Sequence, residues 1–180
     1  NALIVLAALG IVLAVSTDKW ADRMSTITTF STETSAMSRI AVWLWTIEWV
    51  QDNPLGGSFH AYKINSYTVE QSDGKLVTIE GKAFHSIYFE MLGEHGFPGL
   101  FLLLAIILTT YLNMFAAKRR ARGLRNEEWV KDLVDALFIT LTIFCVGASF
   151  IGIAFQPMLY YYVALSVCLL NFVRRSHEAQ

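Results

Sequence analysis

Two side chains in this sequence combine the type and the setting that chemistry needs. His85 opens the stretch His85-Ser86-Ile87-Tyr88-Phe89-Glu90-Met91-Leu92-Gly93-Glu94-His95-Gly96-Phe97-Pro98-Gly99, which runs directly into the apolar segment Leu100 to Ala117. An imidazole with an ordinary pKa of about 6.5 takes a proton from a hydroxyl at neutral pH, which makes histidine the commonest general base. If His85 to Glu94 is helical, His85 shares a face with Phe89 and Leu92, and Glu90 and Glu94 point to the other side. Neither glutamate then orients the ring from its own helix. A lone histidine on an apolar face is ordinarily a packed core residue, so placement has to separate the two readings. Gly93, Gly96 and Gly99 permit a sharp turn of the backbone, and Pro98 suits the first turn of the helix that follows. The imidazole is therefore expected at the end of a spanning helix, at headgroup depth. His60 and His95 lack that placement and are expected to be solvent-facing or packing residues.

Arg39 is the second candidate. On a helix it shares its face with Trp43, Thr46 and Val50, so a permanent cation is expected on an otherwise apolar surface near lipid. Desolvating a guanidinium costs several kcal/mol unless it is paired. One solution is a snorkelling arginine that meets headgroup phosphates or pairs with Glu33 or Glu48. The other is a ligand, because the guanidinium fork suits the oxygens of a diphosphate.

The elements that must position these groups follow from composition. The chain is 54% hydrophobic and only 16% charged, with a mean hydropathy of +0.45, beyond the range of an average soluble domain. Leu100 to Ala117 carries no formal charge and makes about 27 Å of helix, close to a hydrocarbon core of about 30 Å. Lys118, Arg119, Arg120, Arg122 and Arg125 follow it at once, which places that short loop in the cytoplasm by the positive-inside rule. Parity then puts residues 16–96 outside, sends 134–154 outward, turns the chain at Phe155-Gln156-Pro157 and returns 157–173 inward, so that Arg174 and Arg175 again land inside. The expected fold is an all-α integral membrane protein, a helical-bundle fragment with four transmembrane helices. These are residues 1–15, 97–117, 134–154 and 157–173, with a basic cytoplasmic loop at 118–133 and a tail at 174–180. Ala2 to Val15 gives only about 21 Å of helix, so it is expected to be a clipped span with further helices upstream. A secretory signal is the rival, but no basic residue precedes the run.

The large outer loop, 16–96, is acidic overall. Thr34-Ser35 precedes a helical run, Ala36 to Gln51, that stops before the turn signal Asp52-Asn53-Pro54-Leu55-Gly56-Gly57. Apolar residues including Trp43, Trp45 and Trp49 surround that helix, which is therefore expected to lie in or against the membrane surface. Tyr67 to Gln71 and Leu76 to Glu80 flank Ser72-Asp73-Gly74-Lys75 and read as a small β-hairpin.

Several function classes are excluded. A net charge of −1 and a pI near 6.5 leave no basic balance for a nucleic-acid partner. No HExxH motif, cysteine cluster or helical His/Asp/Glu pair joins His85, so no metal or other cofactor is expected. P-loop, GxSxG and GxGxxG motifs are missing too. Cys145 and Cys168 fall in apolar segments and behave as small hydrophobes. A non-enzymatic transport or assembly subunit stays as a third reading, and one fact counts against it: such a subunit should line a path with intramembrane charges, yet Leu100 to Ala117 and Leu137 to Val173 carry none.

His85-Ser86, nine residues, then Gly96-Phe97-Pro98-Gly99 resembles the His-[Asn/Ser/Gln]-x9-Gly-x-x-Gly signature of the O-antigen ligase family. Met24-Ser25-Thr26-Ile27, Ser38-Arg39-Ile40, Trp43 and Asp52-Asn53-Pro54-Leu55-Gly56-Gly57 are similar to the family's large periplasmic loop, most of all in the branch of O-glycosylation ligases from exosortase-associated gene clusters. The resemblance covers Met24 to Ala117 well and the last two helices loosely, as a C-terminal part of such an enzyme. It implies a bacterial inner-membrane glycosyltransferase, metal-independent and inverting. The enzyme moves a glycan from an undecaprenyl-diphosphate carrier to an acceptor hydroxyl on a lipid core or a protein, among membrane lipids. A polysaccharide polymerase of the same superfamily is the alternative. Carried over by position, His85 deprotonates the acceptor and Arg39 binds the donor diphosphate and stabilises the leaving group. Ser86, Arg23 and Lys63 are further substrate contacts on this reading.

Overall fold

The computed structural model describes residues 34–70, 74–122, 124 and 128–178. The apolar run Ala2 to Val15, the polar residues after it and Arg23 lie outside the described residues. The elements are helix α1 (Thr34–Asp52), a 3-10 turn (Ala61–Ile64), strands β1 (Ser66–Glu70) and β2 (Leu76–Glu80), and helices α2 (Ile87–Arg120), α3 (Glu128–Ala148) and α4 (Met158–Glu178).

α2, α3 and α4 form the main core, with Leu103, Met114, Leu141, Leu159, Leu169 and Val173 buried between them. Thr110 and Ser166 are buried, whereas Phe101, Leu102, Leu108, Ile139, Ile143, Val146 and Leu165 are exposed. This inside-out distribution, with small polar residues within and large apolar ones without, suits a lipid solvent rather than water. Both buried hydroxyls are satisfied within their own helices, Thr110 Oγ1 donating to the Ile106 carbonyl at 2.7 Å and Ser166 Oγ to the Val163 carbonyl at 2.8 Å. At the basic end Lys118 Nζ pairs with Asp135 Oδ2 at 2.7 Å, joining α2 to α3, and His177 Nε2 meets the Arg120 carbonyl, joining α4 to α2.

Among the described residues one helix, α2, is long and apolar enough to cross a membrane. The segments expected to span at 134–154 and 157–173 are occupied by α3 and α4 with shifted ends. α3 starts at Glu128, inside the expected loop, so Glu128, Lys131, Asp132 and Asp135 occupy its first turns, and it stops at Ala148. α4 carries Arg174, Arg175 and Glu178 in its last turn or so. α2 is likewise longer than the expected 97–117: it begins at Ile87 and continues through the basic residues to Arg120.

α2 is broken at Gly96, whose φ of 64° and ψ of −160° leave the helix. The cause is local. A continuous helix would have Phe97 and residue 98 donate to the Gly93 and Glu94 carbonyls, but Pro98 has no N–H, and Phe97 N donates instead to the Pro54 carbonyl at 3.0 Å. The two freed carbonyls accept from outside the helix, Gly93 O from Gly57 N at 2.9 Å and Glu94 O from Ser58 N at 2.8 Å. The turn after α1 is thus stitched to the break by three hydrogen bonds. Backbones approach so closely that a Cβ on Gly96 would lie 2.0 Å from the Pro54 carbonyl oxygen.

α1 has two apolar faces. Val42, Thr46 and Val50 are fully buried, while Met37, Ile40, Leu44 and Ile47 are exposed. The face of Arg39, Trp43, Thr46 and Val50 therefore packs inward, which corrects the expectation that it meets lipid; apolar periodicity could not choose between faces of a helix that is apolar all round. β1 and β2 pair antiparallel from Ser66 opposite Glu80 to Glu70 opposite Leu76; the middle of their connection lies outside the described residues.

Candidate active site

Trp43 lies one turn after Arg39 on the inward face of α1. Its indole Nε1–H donates to the Phe84 carbonyl at 2.7 Å, and its ring stacks on Phe89 with centroids 5.0 Å apart and planes 2° from parallel. One side chain thereby fixes α1 against both flanks of His85. Phe84 itself is buried in a second core with Val42 and Ala61 and lies on Gly93, where a Cβ would come within 2.4 Å of its ring.

The strands supply a second brace. Tyr67 Oη–H donates to the Ser38 carbonyl at 3.0 Å, next to Arg39; burial raises the Tyr67 pKa and keeps the phenol a donor. Asn65, 1% exposed, grips Lys82 from both sides: Nδ2 donates to the Lys82 carbonyl at 2.6 Å, and Oδ1 accepts from Lys82 N at 2.9 Å.

His85 is half-buried and stands before α2, in the left-handed region with φ of 51°. The expectation that it shares a helical face with Phe89 and Leu92 is therefore corrected. The helix starts two residues later, at Ile87, because Ser86, extended at φ −161°, is its N-cap, and the Ser86 carbonyl accepts the first helical bond from Glu90 N at 2.8 Å. A non-glycine residue at positive φ stores local strain that the surrounding contacts must hold. Ser86 is 1% exposed, so its side chain lies under the site rather than on its surface.

Burial lowers the His85 pKa below its ordinary value, and the positive charges of Lys82 and Arg39 lower it further. The imidazole is thus neutral at neutral pH, as a base must be. Among the described residues neither Arg39 nor Lys82 forms an ion pair. Two cations whose charge reaches the ring, with no carboxylate paired to either among the described residues, favour an anion there.

Of the residues singled out from sequence, Arg39 lies near enough to His85 for its charge to act on the ring, and Ser86 is the next residue of the chain. Lys63 is exposed on the 3-10 turn, and Arg23 lies outside the described residues. Lys82 is the residue that sequence reading missed; its only signal is that it stands three positions before His85. Glu90 Oε2 accepts from Ala154 N at 2.9 Å and ties the α3–α4 connection to α2. His60 is exposed. His95 packs between Phe59, at 5.0 Å, and Phe155, at 5.5 Å, in keeping with a packing residue.

The outer sides of the helices are apolar, one helix is long and apolar enough to cross a membrane, and a histidine under the charge of two cations stands just before that helix. Residues 1–104 match the family model described as O-antigen ligase (Wzy_C). The chain belongs to the O-antigen ligase family. The match takes in α1, the strands, His85 and the Gly96 break, and ends within the first part of the spanning segment of α2. The family comprises membrane ligases and polymerases of lipid-linked glycans, so at this level the chain is a glycosyltransferase-like membrane enzyme whose partners are a lipid-linked glycan and membrane lipid. No curated protein and no solved structure matches the chain significantly.

Proposed function

We propose that this protein is the ligase type of its family and transfers a glycan from an undecaprenyl-diphosphate carrier to an acceptor hydroxyl, on a lipid core or a protein, at the periplasmic face of a bacterial inner membrane. The observation that supports the reading is a histidine on a strained turn, at φ of 51°, within reach of the charge of Arg39, a cation that among the described residues has no carboxylate partner. His85 takes the acceptor proton as the acceptor oxygen bonds to the anomeric carbon. The bond from that carbon to the phosphate oxygen breaks, and its electron pair stays with the departing carrier diphosphate. Attack from the face opposite the leaving group inverts the anomeric centre. Arg39 holds the diphosphate and takes up the charge that develops on it, a contact that strengthens as the bond breaks. The proposed step invokes no metal.

The resemblance to the O-glycosylation branch favours a separate acceptor over a growing glycan. A radiolabelled lipid-linked donor supplied to the full-length protein in membrane vesicles tests this. Label moving onto a separate lipid or protein acceptor supports the ligase. A ladder of lengthening glycans with no such transfer assigns the polymerase instead.

A further inference from the structure

We infer that Lys82 is a second positioning residue for the carrier diphosphate, its backbone set, like that of Ser38 beside Arg39, by a two-point brace at the start of β1. The inference rests on the glycosyl-transfer reading above and names a ligand for a residue that reading does not use.

The geometry begins with Asn65 and Tyr67, two positions apart on the chain. Asn65 fixes the Lys82 backbone through both its N–H and its carbonyl, and its own carbonyl accepts from Gly81 N at 3.1 Å. Tyr67 fixes the carbonyl of Ser38, the residue before Arg39. One short piece of chain therefore sets the backbones from which both cations leave. The sheet ends just before Lys82, where Glu80 pairs with Ser66, and Gly81 turns the chain with φ of 64° toward Phe84, whose carbonyl Trp43 holds.

Charge explains why a second cation belongs there. A diphosphate linking a lipid to a sugar carries one negative charge on each phosphate, and the departing carrier diphosphate carries a further developing charge. One guanidinium offsets one of them. A lysine beside a base also has a cost, since it opposes the protonation that His85 undergoes in the transition state. An anion between the two cations removes that opposition, so the base becomes stronger when donor is bound. Lys82 is half-buried and among the described residues has no carboxylate partner, as a cation reserved for a ligand should be. The phosphate could equally belong to a lipid headgroup, and the two sources are separable.

The test uses the full-length protein in nanodiscs of phosphatidylcholine, with donor concentration and pH varied. For Lys82→Ala the donor KM rises about 10- to 100-fold, as expected for loss of one charge-assisted contact. Inhibition by undecaprenyl diphosphate weakens in parallel, and the acidic limb of kcat/KM, which reports the free enzyme, moves to higher pH. Lys82→Arg restores the KM; a merely structural defect would not be read out in the acidic limb. An unchanged donor KM and an unmoved limb in Lys82→Ala, while Arg39→Ala and His85→Ala lose transfer, overturn the inference and leave the transfer reading standing. Transfer retained by Arg39→Ala and His85→Ala overturns both. A Lys82→Ala defect confined to nanodiscs containing phosphatidylglycerol assigns the lysine to headgroups and overturns the inference.

Discussion

The base role proposed for His85 needs a neutral ring, and its surroundings favour that form. Because burial and two cations lower its folded pKa, the unfolded chain binds the proton more readily between the folded value and about 6.5. Stability from this group is therefore present above about pH 6.5 and is lost as pH falls through that window. Activity follows the same sign: the acidic limb of the rate profile is expected below about pH 6.5, and a limb above it would contradict the electrostatics. Arg39→Lys keeps the charge and loses the fork, so transfer should fall while donor attraction at low salt persists; full transfer would point to a simple charge. His85 and Arg39 were legible from residue type and from the break and apolar helix that follow. Lys82 and Asn65 were not, because a lysine after a short strand and an asparagine before one carry no periodic signal, and their meaning lies in a contact between distant residues.

At the scale of elements, the site depends on three contacts between α1 and the chain around the break. Gly96→Ala puts a Cβ at a positive φ against the Pro54 carbonyl, and should cost more than about 2 kcal/mol, since neither backbone has room to yield. Thermal unfolding of the detergent-solubilised protein measures it; an unchanged midpoint would mean that the turn after α1 does not dock there. Trp43→Phe keeps an aromatic ring for Phe89 but removes the donor to Phe84, and should cost about 1 kcal/mol of stability together with a lower kcat. Loss of stability without loss of kcat would make the tryptophan a packing residue alone. The bounds of α1 were readable to within about two residues, because Asn53-Pro54 and Gly56-Gly57 stop a helix by chemistry. Its inward face was not, since three tryptophans and a ring of aliphatics leave no polar side to point outward. The long α2 also escaped sequence reading: Gly96 and Pro98 look like a boundary, yet the chain before them is helical too because the docked turn satisfies the carbonyls that the break frees.

For the whole molecule, the exposed apolar sides of α2, α3 and α4 and the basic residues at one end argue that the chain sits in a bilayer with its candidate site at the opposite end from Lys118, Arg119 and Arg120. In a variant lacking Cys145 and Cys168, a cysteine at Thr78 should react with an impermeant maleimide added from the periplasm, and one at Arg122 only after permeabilisation. The reverse pattern would end the periplasmic assignment. The proposed orientation rests on charge bias alone, which the sequence carries, whereas the packing of α4 and α3 on α2 required coordinates. The most direct measurement is single-turnover transfer by full-length His85→Ala with the labelled donor bound. The account predicts retained donor binding and a transfer rate lower by about 10²- to 10⁴-fold, the usual contribution of a general base; transfer at the unmodified rate from the bound donor would contradict it.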